Sequence, residues 1–175
     1  MALTLDPLFG SPDHYLHSFE GDAALFVPMD RTAYRRSIFL DQRISPAEGQ
    51  VVRVSQGLLV QAPAACPTGW IFHMAHCGST LLARALDELG GGLMLREPLA
   101  LRQLALQPDL GAMLAPTLAL LSRRYPVSDA TVIKANVPVN FMLDRISASD
   151  PQARAIFLYC RLPDYLCAIL RSDQH

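Results

Sequence analysis

A chain of 175 residues, 51% hydrophobic and 18% charged, has enough apolar side chain for a folded core and too much for intrinsic disorder. Its 15 basic and 16 acidic residues leave a net charge of −1, which excludes the electrostatic footprint expected of a DNA- or RNA-binding protein. No apolar run approaches the roughly 18 residues of a membrane span, and Met1 to Gly10 lacks the basic start and apolar run of a secretory signal.

These features predict a cytoplasmic protein with neither a nucleic-acid nor a membrane partner. Its four cysteines show no Cys-x-x-Cys spacing, which disfavours a zinc knuckle or a redox motif. We expect reduced thiols, with Cys66, Cys160 and Cys167 buried as small hydrophobic residues.

Residues 1–65 differ in pattern from the rest of the chain. Short apolar runs at 24–27, 37–40, 51–54 and 58–60 are separated by turn-forming residues. This spacing predicts a small antiparallel β region, to which the sequence assigns no function. Residues 66–175 are predicted to form a separate α/β domain.

From Gly69 onward, strand patterns alternate with helix patterns. An apolar strand at 69–73 is followed by a small-residue turn at 74–78 and a helix at 79–89, which Gly90-Gly91-Gly92 ends. Further strands are predicted at 93–95, 131–134 and 153–159, and further helices at 98–107, 109–124, 138–147 and 163–172. Such alternation predicts an α/β fold with a parallel sheet and flanking helices, and the turn described next makes a P-loop-type sheet our expectation.

The turn before the helix at 79–89 carries the strongest functional signal. Gly78 allows the backbone to approach a ligand, and Ser79 and Thr80 stand at a helix start, where free N–H groups favour an anion. His76 adds a donor or a positive charge. The same residues also fit simple N-capping of the helix.

Two other phosphate-binding patterns fit less well. A Walker loop requires Gly-x-x-x-x-Gly-Lys-[Ser/Thr], whereas this chain has His73 at the first glycine and Ser79 at the lysine. A cysteine-dependent phosphatase requires Cys-x5-Arg, and counting from Cys77 places Arg84 one residue too late. One residue turns the side chain by roughly 100° around a helix.

The turn after the apolar strand resembles the cofactor loop of the sulfotransferases. The residues that carry this resemblance are His76, Cys77, Gly78, Ser79 and Thr80. The resemblance implies a P-loop fold in which these residues hold the 5′-phosphosulfate end of 3′-phosphoadenosine 5′-phosphosulfate, the sulfuryl donor. It implies no metal.

The same resemblance, which spans roughly residues 69–172, implies roles for three further residues. Glu97, before a proline, would be the base, Lys134 at a strand end would stabilise charge, and Arg161 in Arg-x-Pro would contact the 3′-phosphate. The family more often has Lys or Arg at the position of His76, and usually has serine at that of Ile169. Together with the end of the chain at His175, where family members usually continue, these departures predict a divergent or truncated member.

Structural alternatives remain open for these residues. Glu97 also suits a helix start, Lys134 also suits a surface position, and Arg96 either pairs with an anion or is solvated. Metal binding at His14 and His17, or at His73, His76 and Cys77, is disfavoured because neither group presents a convergent set of ligands.

The sequence therefore predicts an enzyme that transfers a sulfuryl group from the phosphoadenosine donor to a hydroxyl or amine of a small acceptor molecule. The alternatives are a kinase-like phosphotransferase with a degenerate Walker loop, and a catalytically inactive nucleotide-binding or scaffold protein.

Overall fold

The computed structural model describes residues 5–126 and 130–172, and builds two sheets from them. The strands are β1 His14–Glu20, β2 Ala23–Pro28, β3 Val52–Ser55, β4 Thr68–His73, β5 Gly92–Arg96, β6 Ala130–Lys134 and β7 Arg154–Leu158. The α-helices are α1 Leu5–Gly10, α2 Arg31–Arg36, α3 Ser79–Glu88, α4 Leu99–Leu106, α5 Leu114–Leu121, α6 Leu143–Ser149 and α7 Leu162–Ser172. Short 3-10 helices span Gln56–Gln61, Pro108–Met113 and Val137–Met142.

The N-terminal region contains a three-stranded antiparallel sheet in the order β1-β2-β3, which confirms the predicted β region. The prediction of strands at 37–40 and 58–60 is wrong. The backbone of Leu40 bonds to Arg96 O (2.7 Å) and Leu99 N (3.1 Å) instead of joining a ladder. Residues 58–60 fall in a 3-10 helix.

The second sheet has four parallel strands in the order β5-β6-β4-β7, so the predicted α/β fold with a parallel sheet is confirmed. The chain leaves β4 through α3, reaches β5 at one edge, returns to β6 and then places β7 on the far side of β4. β4 is therefore an inner strand, and the loop after it lies at the centre of the sheet's carboxyl edge.

The two faces of this sheet are covered differently. Trp70 and Phe72 of β4 enter the large core shared with the N-terminal sheet, α4 and α5. Ile71, pointing the other way, packs with Ala83 of α3 and Met94 of β5. The edge strand β7 is less covered, with Ile156 48% and Phe157 52% exposed.

The helices predicted at 109–124 and 138–147 each begin as a 3-10 helix before α5 and α6. Pro108 and Pro138 lie in the first turns, where their missing N–H is tolerated and tight 3-10 turns are common. None of the helices in the described ranges combines the length and apolar character that crossing a membrane requires.

Arg96 at the end of β5 is buried at 2% exposure, so the interpretation of a solvated side chain is wrong. Its guanidinium pairs with Asp87 of α3 (2.6 Å). It also donates to backbone carbonyl oxygens in the last turn of α2 and to that of Ser37 (2.7 Å), the residue after α2. A carbonyl cluster at a helix C-terminus favours a cation. Arg96 thereby ties α2 and α3 to the parallel sheet.

A second buried arginine, Arg123, connects the N-terminal elements to the end of α5. Arg123, after α5, donates to the carbonyl oxygens of Leu8 (2.8 Å), Ser11 (2.7 Å), His14 (2.6 Å) and Leu120 (2.6 Å). Burial lowers the pKa of Arg123 to about 10, which still leaves the guanidinium charged at neutral pH. Arg123 thus ties the first elements of the chain to the end of α5.

We expect Arg123→Met to lower the free energy of unfolding by about 3 kcal/mol, because it leaves several buried carbonyl oxygens without a donor. Urea unfolding measures the loss. The control is Arg84→Met on the exposed face of α3, which should change stability by less than about 0.5 kcal/mol. Equal unfolding midpoints for the two variants would contradict the structural role of Arg123.

Candidate functional site

The loop between β4 and α3 has a backbone conformation suited to an anion. His76 has φ 59° and Gly78 has φ 81°, whereas Cys77 between them and Ser79 after them do not have positive φ. Successive N–H groups in a turn of this kind can point toward one side and form a concave nest for an anion. A non-glycine residue at positive φ is uncommon, so His76 marks a locally strained turn.

The N–H groups of this loop are available to a ligand. Within residues 5–126 and 130–172, the backbone N–H groups of residues 75–81 donate to no protein acceptor, whereas Met74 N bonds to Leu158 O (3.1 Å) and Leu82 N to Gly78 O (3.1 Å). The first N–H groups of a helix carry the positive end of its dipole. The loop therefore offers a cluster of N–H donors without a protein acceptor in the described part of the chain.

Simple N-capping does not explain the residues of the loop. Gly78 is the N-cap residue of α3 and no side chain caps the helix. Ser79 is buried at the start of α3, Thr80 is half-buried, and His76 is exposed with its ring 6.2 Å from that of Tyr165 in α7. The Cys77 thiol donates to Met74 O across the turn (2.8 Å).

Glu97 and Lys134 meet beside this loop. Lys134 ends β6 and Glu97 follows the last residue of the adjacent strand β5, and the Lys134 ammonium donates to Oε1 of Glu97. Lys134 is fully buried, so the interpretation of a surface lysine is wrong. The α4 helix has Pro98 as its N-cap residue and no side-chain cap, so Glu97 does not cap it.

The backbone aims Glu97 at the sheet edge. Its φ of 56° lies in the left-handed region, and its N–H bonds to Lys134 O (2.8 Å). Such strain persists only where surrounding contacts determine the conformation. Asn136 supports the turn, since its Nδ2 donates to Glu97 O (3.4 Å).

His73 lies beside the Glu97–Lys134 pair, and the sequence prediction did not include it among the site residues. It ends β4, is 4% exposed and has Nε2 3.8 Å from Oε1 of Glu97. The Nδ2 atom of Asn140 donates to its backbone oxygen (2.9 Å). The sequence did contain a signal for His73, since it is a polar residue at the end of an apolar inner strand. Ligands bind at the carboxyl edge of a parallel sheet, which is where such a residue lies.

The segment before β3 adds Phe39 and Arg43 to the wall of the site. The Arg43 guanidinium stacks on the Phe39 ring at 4.0 Å, and the Lys134 ammonium lies 5.3 Å from the same ring. Arg43 also pairs with Asp41 (2.5 Å). Hydrogen bonding from the Arg43 side chain lowers the pKa of Asp41 below its usual value. No pattern in the sequence predicted that Phe39 and Arg43 would lie close to Lys134.

Arg161 is not brought into this cluster. It lies before α7 with its side chain 83% exposed and pairs with Asp164 (2.9 Å). The burial predicted for the cysteines is wrong for Cys167, which is exposed on α7, and only partial for Cys66 and Cys160. In the described ranges, no three His, Cys, Asp or Glu side chains converge as a metal site requires.

Comparison of the chain with protein-family models, with curated proteins and with solved structures gives no match. The geometry of the site is therefore the basis for the function proposed below.

Replacement of Gly78 by alanine tests the loop conformation. A Cβ there meets open space but must adopt φ 81°, so we expect a loss of about 1 kcal/mol in unfolding free energy. Gly10→Ala is the control, because that site is equally open and its φ is not positive. A Gly78→Ala protein as stable as Gly10→Ala in urea would contradict the left-handed turn.

The Glu97–Lys134 pair predicts strong coupling between the two side chains. Lys134→Met leaves a largely buried carboxylate without its partner and should cost about 3 kcal/mol. Adding Glu97→Gln should recover part of that loss, because the unpaired charge is removed. A double-mutant cycle in urea measures the coupling; additive effects would show that the two charges do not interact.

Proposed function

We propose that this chain transfers a sulfuryl group from 3′-phosphoadenosine 5′-phosphosulfate to a hydroxyl or amine. The observation that carries the proposal is the cluster of N–H groups at 75–81 that have no acceptor among the described residues. Beside it, the buried Lys134 pairs with the half-buried Glu97 at the carboxyl edge of the sheet. These supply the two functions the reaction requires, which are binding of the anionic donor and acceptance of a proton.

The loop supports the donor-binding part of the proposal. N–H groups in a nest and at a helix start bind phosphate oxygens without a loop lysine. Ser79 stands where a Walker loop has its lysine, which favours the sulfotransferase-type loop over ordinary ATP binding. Ser79 and Thr80 add hydroxyl groups at the same helix start.

Lys134 and Glu97 support the transfer part. The acceptor oxygen or nitrogen attacks sulfur, and the bond between sulfur and the phosphate oxygen of the donor breaks. Adenosine 3′,5′-bisphosphate leaves, and Glu97 takes the acceptor proton. Lys134 stabilises the charge that develops on the leaving phosphate oxygen, and hydrogen-bonds Glu97 in the resting site.

Arg161 contributes to the proposal only as an expected contact to the 3′-phosphate. Its exposed side chain and its pairing with Asp164 mean that it must exchange a surface ion pair for the phosphate. Exposed pairs of this kind are worth less than about 1 kcal/mol, so the exchange costs little.

Calorimetric titration tests the donor. We expect adenosine 3′,5′-bisphosphate to bind the wild-type chain more tightly than ATP, because the loop lacks the Walker lysine. Preference for ATP would contradict the proposal and favour a phosphotransferase. Failure of both nucleotides to bind a folded chain would leave a non-enzymatic role.

A turnover assay with labelled donor and a panel of phenol, sugar and amine acceptors tests the base. Glu97→Gln should lower turnover by about 10²- to 10⁴-fold, because general base catalysis contributes that range. Binding of the bisphosphate should change far less. Glu88→Gln, on the exposed end of α3, is the matched control. Equal turnover in the two variants would remove Glu97 from the mechanism.

A further inference from the structure

We propose that two copies of this chain associate through the outer edge of β7, which pairs antiparallel with β7 of the second copy across a two-fold axis. The strand, the residue after it and the helix α7 carry a series of exposed apolar side chains. We call them the β7–α7 surface, which consists of Ile156, Phe157, Tyr159, Leu162, Leu166 and Leu170. This inference is independent of the proposed function.

The two edge strands of the parallel sheet differ in how the rest of the chain covers them. β5 is buried from Leu93 to Arg96, and Leu40 N donates to Arg96 O (2.7 Å). β7 pairs with β4 on one side, and no strand in the described part of the chain lies on its other side. The outer N–H and C=O groups of β7 are therefore positioned to pair with a further strand.

β7 also lacks the features by which proteins usually block pairing at an edge strand. Residues 154–158 include neither proline nor lysine, their one charge is on the first residue, Arg154, and their register with β4 has no bulge. The strand is exposed from Arg154 to Phe157. A lipid surface or a small apolar ligand has no backbone groups to pair with such an edge, so the occupant we infer is another strand.

The sequence of β7 fits an antiparallel copy of itself. A two-fold axis through Ile156, the middle residue, sets Ala155 opposite Phe157 of the second copy on one face of the sheet. On the other face, Ile156 lies opposite Ile156 of the second copy, and Arg154 lies opposite Leu158. The small alanine leaves room for the phenylalanine ring, and no like charges face each other. These pairings favour a second copy of this chain as the occupant.

The β7–α7 surface is also large enough for a stable interface. Its six residues are each 48% to 76% exposed. A large apolar side chain presents roughly 150–250 Å² in full, so the six present on the order of 500–900 Å², and a stable interface takes about 800 Å² from each partner. On α7, Leu162, Leu166 and Leu170 recur every four residues and so form one apolar stripe.

Sedimentation velocity of the full chain tests the association. The wild-type chain should sediment as a dimer with twice its mass of 19.2 kDa. Ile156→Lys sets two positive charges against each other at the two-fold axis, and should weaken association by at least about tenfold because like charges directly opposite on paired strands repel. Leu170→Glu, on the stripe of α7, should also weaken it. Phe141→Lys is the matched control, since Phe141 is 92% exposed outside the β7–α7 surface and should leave the dimer unchanged.

A charge exchange at the axis separates lost pairing from lost folding. Ile156→Glu should be monomeric by itself, and an equimolar mixture with Ile156→Lys should form a dimer, because opposite charges then face each other. Circular dichroism checks that each variant is folded. A monomeric wild-type chain, or a dimer that Ile156→Lys and Leu170→Glu leave intact, would overturn the inference, as would folded Lys and Glu variants that do not associate when mixed. Binding of adenosine 3′,5′-bisphosphate is measured separately, so the proposed function stands or fails independently of these results.

Discussion

The placement of β6 between β4 and β5 is the constraint on which the site depends. Because the three strands run parallel, their carboxyl ends reach the same edge of the sheet, where His73 and Lys134 end their strands and Glu97 follows β5. A buried ammonium is tolerated only with a partner, and Glu97 provides it from just beyond the end of the neighbouring strand. The loop with its unbonded N–H groups starts from the same edge. The strand order β5-β6-β4 thus brings together the loop after β4 and the charged pair of Lys134 and Glu97.

The N-terminal region is part of this arrangement. Leu40 bonds to Arg96 and Leu99, on either side of Glu97, and Phe39 brings its ring near the Lys134 ammonium. Arg123 gathers backbone oxygens from the first elements of the chain. The sequence assigned no function to residues 1–65, yet part of that region forms a wall beside the charged pair. The segment around Leu40 carries no recognisable motif. Its position is fixed by hydrogen bonds to Arg96 and Leu99, which flank the candidate site residue Glu97.

The parallel strands, the loop and α3 were predictable because each depends on local pattern. Apolar runs punctuated by glycine specify β4, the turn at Gly78 and the helix after it. What depended on contacts across the fold was not predictable. The burial of Lys134, the segment at 37–40 and the position of the His73 ring are set by neighbours distant in sequence. Cys167 was predicted to be buried from residue type alone, and α7 leaves it exposed.

Amide chemical-shift mapping tests most directly whether the backbone N–H groups at 75–81 bind a phosphate, as we propose. Titration of the nitrogen-15-labelled chain with adenosine 3′,5′-bisphosphate should produce the largest shifts in those amides, with smaller ones at Lys134 and Glu97. Shifts confined to other surfaces, or no saturable shift in the loop, would contradict the account.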